Sequence, residues 1–232
     1  MSNLENYMKW QAIFCEQNDS ISKNLYSEYG VKRGLRDEKG QGVLTGLTNI
    51  SDIKAFEYHD GVKSPCDGEL SYRGYNIKDL VTGSKGKRFV FEEGAYLLLF
   101  GELPTDTQLM EFQGRLSDCM ELPTNFTRDV IMKAPTSDIM GSMTRSILTL
   151  GSYDKEKESL EIPNVLRQSM QLIAVFPMLA VYAYHAYCHY EKNESMYIHR
   201  PEKDLSIAEN FLRLLRPDTK FTELEARVLD IA

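Results

Sequence analysis

Asp67-Gly68-Glu69-Leu70-Ser71-Tyr72-Arg73-Gly74-Tyr75-Asn76-Ile77-Lys78-Asp79-Leu80 and, eleven residues on, Phe91-Glu92-Glu93-Gly94-Ala95-Tyr96-Leu97-Leu98-Leu99-Phe100-Gly101-Glu102-Leu103-Pro104-Thr105 straddle a change of texture in the chain. The first run reads as a strand, Leu70 to Ile77, because Tyr and Ile lie between turn residues in a hairpin-sized segment. The second reads as a helix that stops at Gly101 with Pro104 just beyond, the usual order of residues at a helix C-terminus. Between them the Gly/Lys-rich loop Thr82-Gly83-Ser84-Lys85-Gly86-Lys87-Arg88 separates a small β region, residues 31–82, from a helical part, residues 83–232.

Working toward the N-terminus, Val43-Leu44-Thr45-Gly46-Leu47-Thr48 reads as a further short β run, with turns at Asp60-Gly61 and Asp67-Gly68. The β-hairpin region therefore falls near residues 43–78. Residues 1–30 carry Tyr7, Trp10, Ile13 and Phe14 at spacings of three and four and predict one or two short helices closed by Gly30.

Toward the C-terminus the pattern is helical almost throughout. Three capping boxes, Thr105-x-x-Gln108, Ser206-x-x-Glu209 and Thr222-x-x-Glu225, open helices. Leu109, Phe112 and Leu116 form one face of the first. Pro123, Pro135, Pro163 and Pro201 divide the remainder. The segment 137–150 sets Met140, Gly141, Met143 and Ser146 beside Ile147 and Leu150, and the segment 162–190 is apolar on every face from Leu172 to Ala183. A helix apolar all round must be enclosed on all sides. That enclosure could come from sequence beyond Ala232, from a second subunit or from within one subunit. In the last helix Leu224, Val228 and Ile231 keep helical spacing with no stop signal, which predicts that the chain is the front part of a longer protein. The fold class is mainly α, multi-helical, with a small β-hairpin region.

The 232 residues are 42% hydrophobic and 26% charged, ordinary for a globular protein with a buried core. A net charge of -7 argues against nucleic acid as the main partner. The N-terminus lacks the basic and apolar stretches of a secretory signal, and the apolar run Leu172–Ala183 falls short of the about 20 residues that cross a bilayer. A cytoplasmic protein with no membrane partner is expected. Cys15, Cys66, Cys119 and Cys188 form no C-x-x-C pair, so neither a disulfide framework nor a zinc site is suggested.

Catalytic chemistry is sparse. His185 and His189, at i and i+4 with Cys188 between them, have metal-ligand spacing but no third ligand or zincin Glu, and read as ordinary histidines near the solvated end of a helix. His59 and His199 sit beside no partner that would make either a base. The cation-flanked glycines of Lys32-Arg33-Gly34-Leu35-Arg36 and of the 82–88 loop could hold a phosphate or could simply be solvated. From the residues alone, there is no catalytic residue and no metal site.

The two runs quoted first, in their order and separation, resemble citrate synthases, as do Tyr197-Ile198-His199-Arg200-Pro201 and Ala208-Glu209-Asn210-Phe211-Leu212. The resemblance covers most of the chain from about Val31 to Ala232. It implies the N-terminal part of the family's large helical domain, with the small domain and C-terminal part absent. The full-length enzyme would condense acetyl-CoA with oxaloacetate to give citrate and CoA, with no further cofactor, as a homodimer joined through helices near 137–150 and 162–190. The family's H-x-x-H-G-G-G-N segment, its later G-x-x-H-G-G segment and its C-terminal catalytic Asp are not in this sequence, so the resemblance implies no activity for this chain alone. It also places Arg33, or Arg36 if the alignment slips, near the CoA phosphates, and leaves Arg73 a structural role. The alternatives are a 2-methylcitrate synthase, using propionyl-CoA, and a non-catalytic helical dimerisation module.

Overall fold

In the computed structural model, residues 3–18, 21–32, 34–37 and 39–232 are described. They divide into two units, Met1–Thr48 and Asn49–Ala232. The first holds α1 (Asn3–Asn18) and α2 (Asn24–Glu28). Gly30 follows α2 with φ +63, a left-handed conformation that glycine adopts without steric cost. Tyr7, Trp10 and Ile13 are all exposed. Val43–Thr48, read above as a β run, is irregular. Its alternation is too short, and Gly46 too permissive, to fix a strand without a pairing partner.

The second unit begins with β1 (Ser51–His59), β2 (Val62–Tyr72) and β3 (Tyr75–Asn76), an antiparallel sheet in the order β1-β2-β3. β1 was not legible as a strand. Asp60 and Gly61, with φ 50 and 79, make the two-residue β1–β2 turn as the sequence predicts. Asp67-Gly68 is not a turn. It lies inside β2 where the register slips from Lys54↔Glu69 to Phe56↔Pro65, so the glycine serves a bulge. Arg73 and Gly74, with φ 49 and 88, turn β2 into β3. Asn76 then caps α3 (Ile77–Gly83), accepting from the Lys78 amide at 2.9 Å, so part of the expected β region is helix.

The remaining helices are α4 (Val90–Phe100), α5 (Asp106–Asp118), α6 (Ile139–Gly151), α7 (Ile162–Lys192), α8 (Ile207–Leu215) and α9 (Glu223–Ile231), with a single π-helical turn at Thr127–Ile131. All three capping boxes form. Leu109, Phe112 and Leu116 are buried together on α5 as expected. On α4 the fully buried pair is Glu92 and Leu97, while Phe91 is exposed.

The core gathers around the middle of α7. Ala174, Val175, Met178, Leu179, Val181, Tyr182 and Ala183 pack with Phe112 and Leu116 of α5, Phe126, Ile131 and Leu214 of α8. Most of the enclosure that the all-apolar helix requires thus comes from its own chain. Only a ridge including Phe176 and Tyr184 stays open. By length and composition alone α7 would suffice to cross a membrane. Its 31 residues are spent differently, since the apolar middle is packed by α5, α6 and α8. Pro177 lies within α7 without ending it, although its missing N–H forfeits one intrahelical hydrogen bond. At the other end of the exposure scale, Leu224 and Val228 of α9 are 72% and 61% exposed, so the stripe that defines this helix in the sequence faces away from the core.

α6 lies on α7, and its fully buried residues are Ser142 and Ser146. Gly141 has a local role within the chain. A Cβ there would fall on the Asp138 carboxylate, whose Oδ1 accepts the Gly141 amide at 2.9 Å and caps α6. Asp138→Ala is expected to cost about 1 kcal/mol in thermal unfolding. Gly141→Ala should gain the helix-propensity difference of about 0.5–1 kcal/mol only in the Asp138→Ala background, because in the parent it displaces the cap. Leu179→Ala, at the centre of the core, is expected to cost about 2–5 kcal/mol in denaturant unfolding.

Candidate functional site

Arg33 lies outside the described residues. Arg36 donates from Nη1 to the Gly40 carbonyl at 2.8 Å and pairs with Gly42 across a single bridge, so it stabilises its own loop. In the 82–88 loop Lys87 and Arg88 are likewise turned to the chain, while Lys85 is exposed. Lys87 Nζ meets Glu93 at 2.9 Å. Arg88 donates to both Glu209 oxygens, at 3.1 and 2.5 Å, and to the Asp204 carbonyl at 3.0 Å. Neither is left to form the anion cradle that the glycine and lysine pattern suggested.

Arg73 has the structural role expected of it. Its Nε and Nη2 donate to the Leu98 carbonyl at 3.3 and 2.8 Å, occupying one of the free carbonyls at the end of α4. Gly101, with φ 88, closes the helix beside it. The Arg-Gly turn and the Leu-x-x-Gly helix end are therefore two halves of one contact.

His185 is buried, not solvated. Its Nε2 stands 3.1 Å from the Leu214 carbonyl and must donate to it, and burial holds its pKa below the ordinary value. His189 Nδ1 donates to the Glu194 carbonyl at 2.8 Å. These two hydrogen bonds give both histidines a structural use, and no group of His, Cys, Asp or Glu among the described residues could hold a metal ion. Tyr182 donates its hydroxyl to the His199 carbonyl, and burial pushes its pKa up to about 12. His199 stacks on Tyr197 with ring centroids 5.8 Å apart.

The densest cluster of charge sits where α4, α8 and α9 meet. Asp230 of α9 accepts the Val90 and Phe91 amides at 2.9 and 3.1 Å and caps α4 from a distance of 140 residues along the chain. Glu92 of α4 accepts the Ile207 amide at 2.8 Å at the start of α8. Glu209 completes the α8 capping box by accepting from the Ser206 amide at 2.7 Å while it holds Arg88. A cavity of about 290 Å³ opens beside this junction, lined by Lys87, Arg88, Glu209, Glu223, Arg227 and Asp230. The two amides that converge here, from Val90 and Phe91, are both taken by Asp230. The junction fixes helices to one another. A larger groove, about 660 Å³, runs between α7 and the 117–128 and 198–203 segments.

The other outstanding feature is an apolar face. Met140 and Leu148 on α6 are 78% and 73% exposed, and Leu160, Ile162, Val165 and Phe176 along α7 and its approach are exposed as well.

Comparison with known proteins agrees with the resemblance. A family profile described as "Citrate synthase, C-terminal domain" matches residues 35–232. A citrate synthase of Corynebacterium glutamicum is 30% identical over 149 residues, covering 64% of this chain and 32% of that protein. A 2-methylcitrate synthase of Shewanella oneidensis is 30% identical over 164 residues, 70% of this chain and 40% of that protein. The crystal structure of citrate synthase from Pyrobaculum aerophilum superimposes with a TM-score of 0.65 at 25% identity, covering 84% of this chain and 45% of that one. The chain thus spans about a third to two fifths of the length of the curated relatives it matches.

The cap from α9 to α4 is open to a direct test. Asp230→Ala leaves the Val90 and Phe91 amides without their acceptor and is expected to cost about 1–2 kcal/mol in unfolding. Asp230→Asn keeps one acceptor oxygen and should cost less. At the start of α9, hydrogen bonds from Thr222 and Arg216 hold the Glu225 carboxyl at about 2, below its ordinary 4.5. The stability it contributes is therefore present above about pH 4.5 and lost as pH falls through about 2. Thr222→Ala should move that acid limb upward in a pH series of unfolding curves.

Proposed function

The chain belongs to the citrate synthase family, and on that premise we propose that it is the N-terminal portion of the family's large helical domain, in a protein that condenses an acyl-CoA with oxaloacetate. The observation that carries this is the extent of the match. It runs along residues 35–232 and includes the Arg73 turn and the Gly101 helix end, yet covers only 32% to 40% of the relatives' lengths. In this reading residues 1–30, 31–82 and 83–232 are the N-terminal helices, the small β region and the helical part, and the substrates are acetyl-CoA and oxaloacetate in the cytoplasm. The histidine segments and the aspartate of the family's chemistry are not in this sequence, so the chain by itself is inactive. Release of free CoA from acetyl-CoA and oxaloacetate by the purified chain would refute this.

Propionyl-CoA is the second acyl donor to consider, because the 2-methylcitrate synthase is as similar, at 30% identity, as the citrate synthase. The ratio of kcat/KM for the two acyl-CoAs in the full-length protein decides between them. Arg33 belongs to the CoA site in this reading. Arg33→Ala in the full-length protein should raise the KM for acyl-CoA and leave that for oxaloacetate unchanged, and an unchanged acyl-CoA KM removes the assignment.

Association through the 137–150 and 162–190 helices follows from the same premise, supported by the exposed Met140, Leu148 and Val165. Two copies burying that face against each other would remove it from water at a gain of about 25 cal/mol per Å². Leu148→Glu is expected to leave the unfolding free energy of the single chain within about 0.5 kcal/mol, while shifting sedimentation equilibrium toward monomer. A parent chain that stays monomeric at all accessible concentrations excludes the interface for this segment.

A further inference from the structure

Glu92 is 1% exposed, and its environment does not suit a buried carboxylate. Oε1 accepts the Ile207 amide at 2.8 Å, whereas Oε2 is buried with no hydrogen-bond partner. The charged groups facing it are Asp230 from α9, Glu209 from α8 and Arg88 from the segment before α4. Arg88 is already shared between both oxygens of Glu209 and the Asp204 carbonyl. Neither facing carboxylate is free to withdraw, because Asp230 caps α4 and Glu209 completes the α8 box. Glu93, next to it on α4, points its charge at Lys87.

We propose that Glu92 is a proton-operated latch at the junction of α4, α8 and α9: as the neutral acid it keeps α8 and α9 seated on α4, and as the carboxylate it loosens them. Ionisation places a third negative charge among groups held in position by their own capping bonds, and Oε2 gains no donor to offset it. α9 packs on α4 and α8, so the charge state of Glu92 sets how firmly that helix is docked. Burial is the largest cause raising this carboxyl to about 7, the Ile207 amide and the backbone amide of Glu92 itself oppose it, and Asp230 and Glu209 add to it. The folded value lies above the ordinary 4.5, so the stabilisation is fully present below about pH 4.5 and is lost as pH rises through about 7. The latch stands independently of the family reading and operates in the chain as it is.

Hydrogen exchange of the α8 and α9 amides, measured from pH 5.5 to 8.5 and corrected for intrinsic rates, tests it. The expected result is protection that falls on the order of tenfold across this range in the parent chain and stays flat in Glu92→Gln. Flat protection in the parent, or an unchanged fall in Glu92→Gln, overturns the proposal. Should Glu92→Gln not fold, the carboxyl carbon of Glu92 in the labelled parent is followed by NMR: a midpoint above pH 6 supports the latch and one at or below pH 6 overturns it.

Discussion

The structure depends on enclosing α7. Twelve consecutive apolar residues on a helix present hydrocarbon in every direction, and the fold has to bring partners to all sides of it. α5, α6 and α8 with the 126–131 segment supply them, and the buried side chains Val175, Leu179, Val181 and Leu214 are where these elements converge. The helix also tolerates Pro177, because the packing that buries it holds the segment in place where one intrahelical hydrogen bond is missing. α7 leaves Phe176 exposed, and α6 leaves Met140 and Leu148 exposed.

Around that post, helix ends are joined to one another over long sequence distances. Arg73 occupies the Leu98 carbonyl near the end of α4, Asp230 the first amides of α4, and Glu92 the first amide of α8. Each bond satisfies backbone groups that a helix terminus cannot satisfy itself. In doing so it fixes the position of one element relative to another. The cost is a concentration of carboxylates at the α4–α8–α9 junction, and Glu92, buried with one oxygen unpartnered, carries it.

Sequence signals and structure agree where the physics is local. The capping boxes at Thr105, Ser206 and Thr222, the Asp60-Gly61 turn and the Gly101 stop all involve residues within a few positions of each other, and all form. Readings failed where a partner far along the chain decides. Val43–Thr48 has β-type residues and no strand, while Ser51–His59 becomes a strand because β2 pairs with it. Asp67-Gly68 looks like a turn and is absorbed into a bulge. The stripe on α9 faces outward, and Ala226 is the residue it buries. As for the site, the cations of the 82–88 loop have a phosphate-binding pattern, and only the fold reveals that Lys87 and Arg88 face Glu93 and Glu209. His185 fits a metal spacing, but the Leu214 carbonyl that engages it is 29 residues away.

By itself the sequence determined the helical class, most helix boundaries and the kinship with citrate synthases, since each is written in short runs of residues. Only the tertiary structure decided which apolar faces are covered, which charges are spent on helix ends, and that a single carboxylate, Glu92, lies buried between two others. Burial and electrostatic environment depend on the distances between side chains from separate elements, and no spacing along the chain encodes those distances until the core around α7 has fixed them.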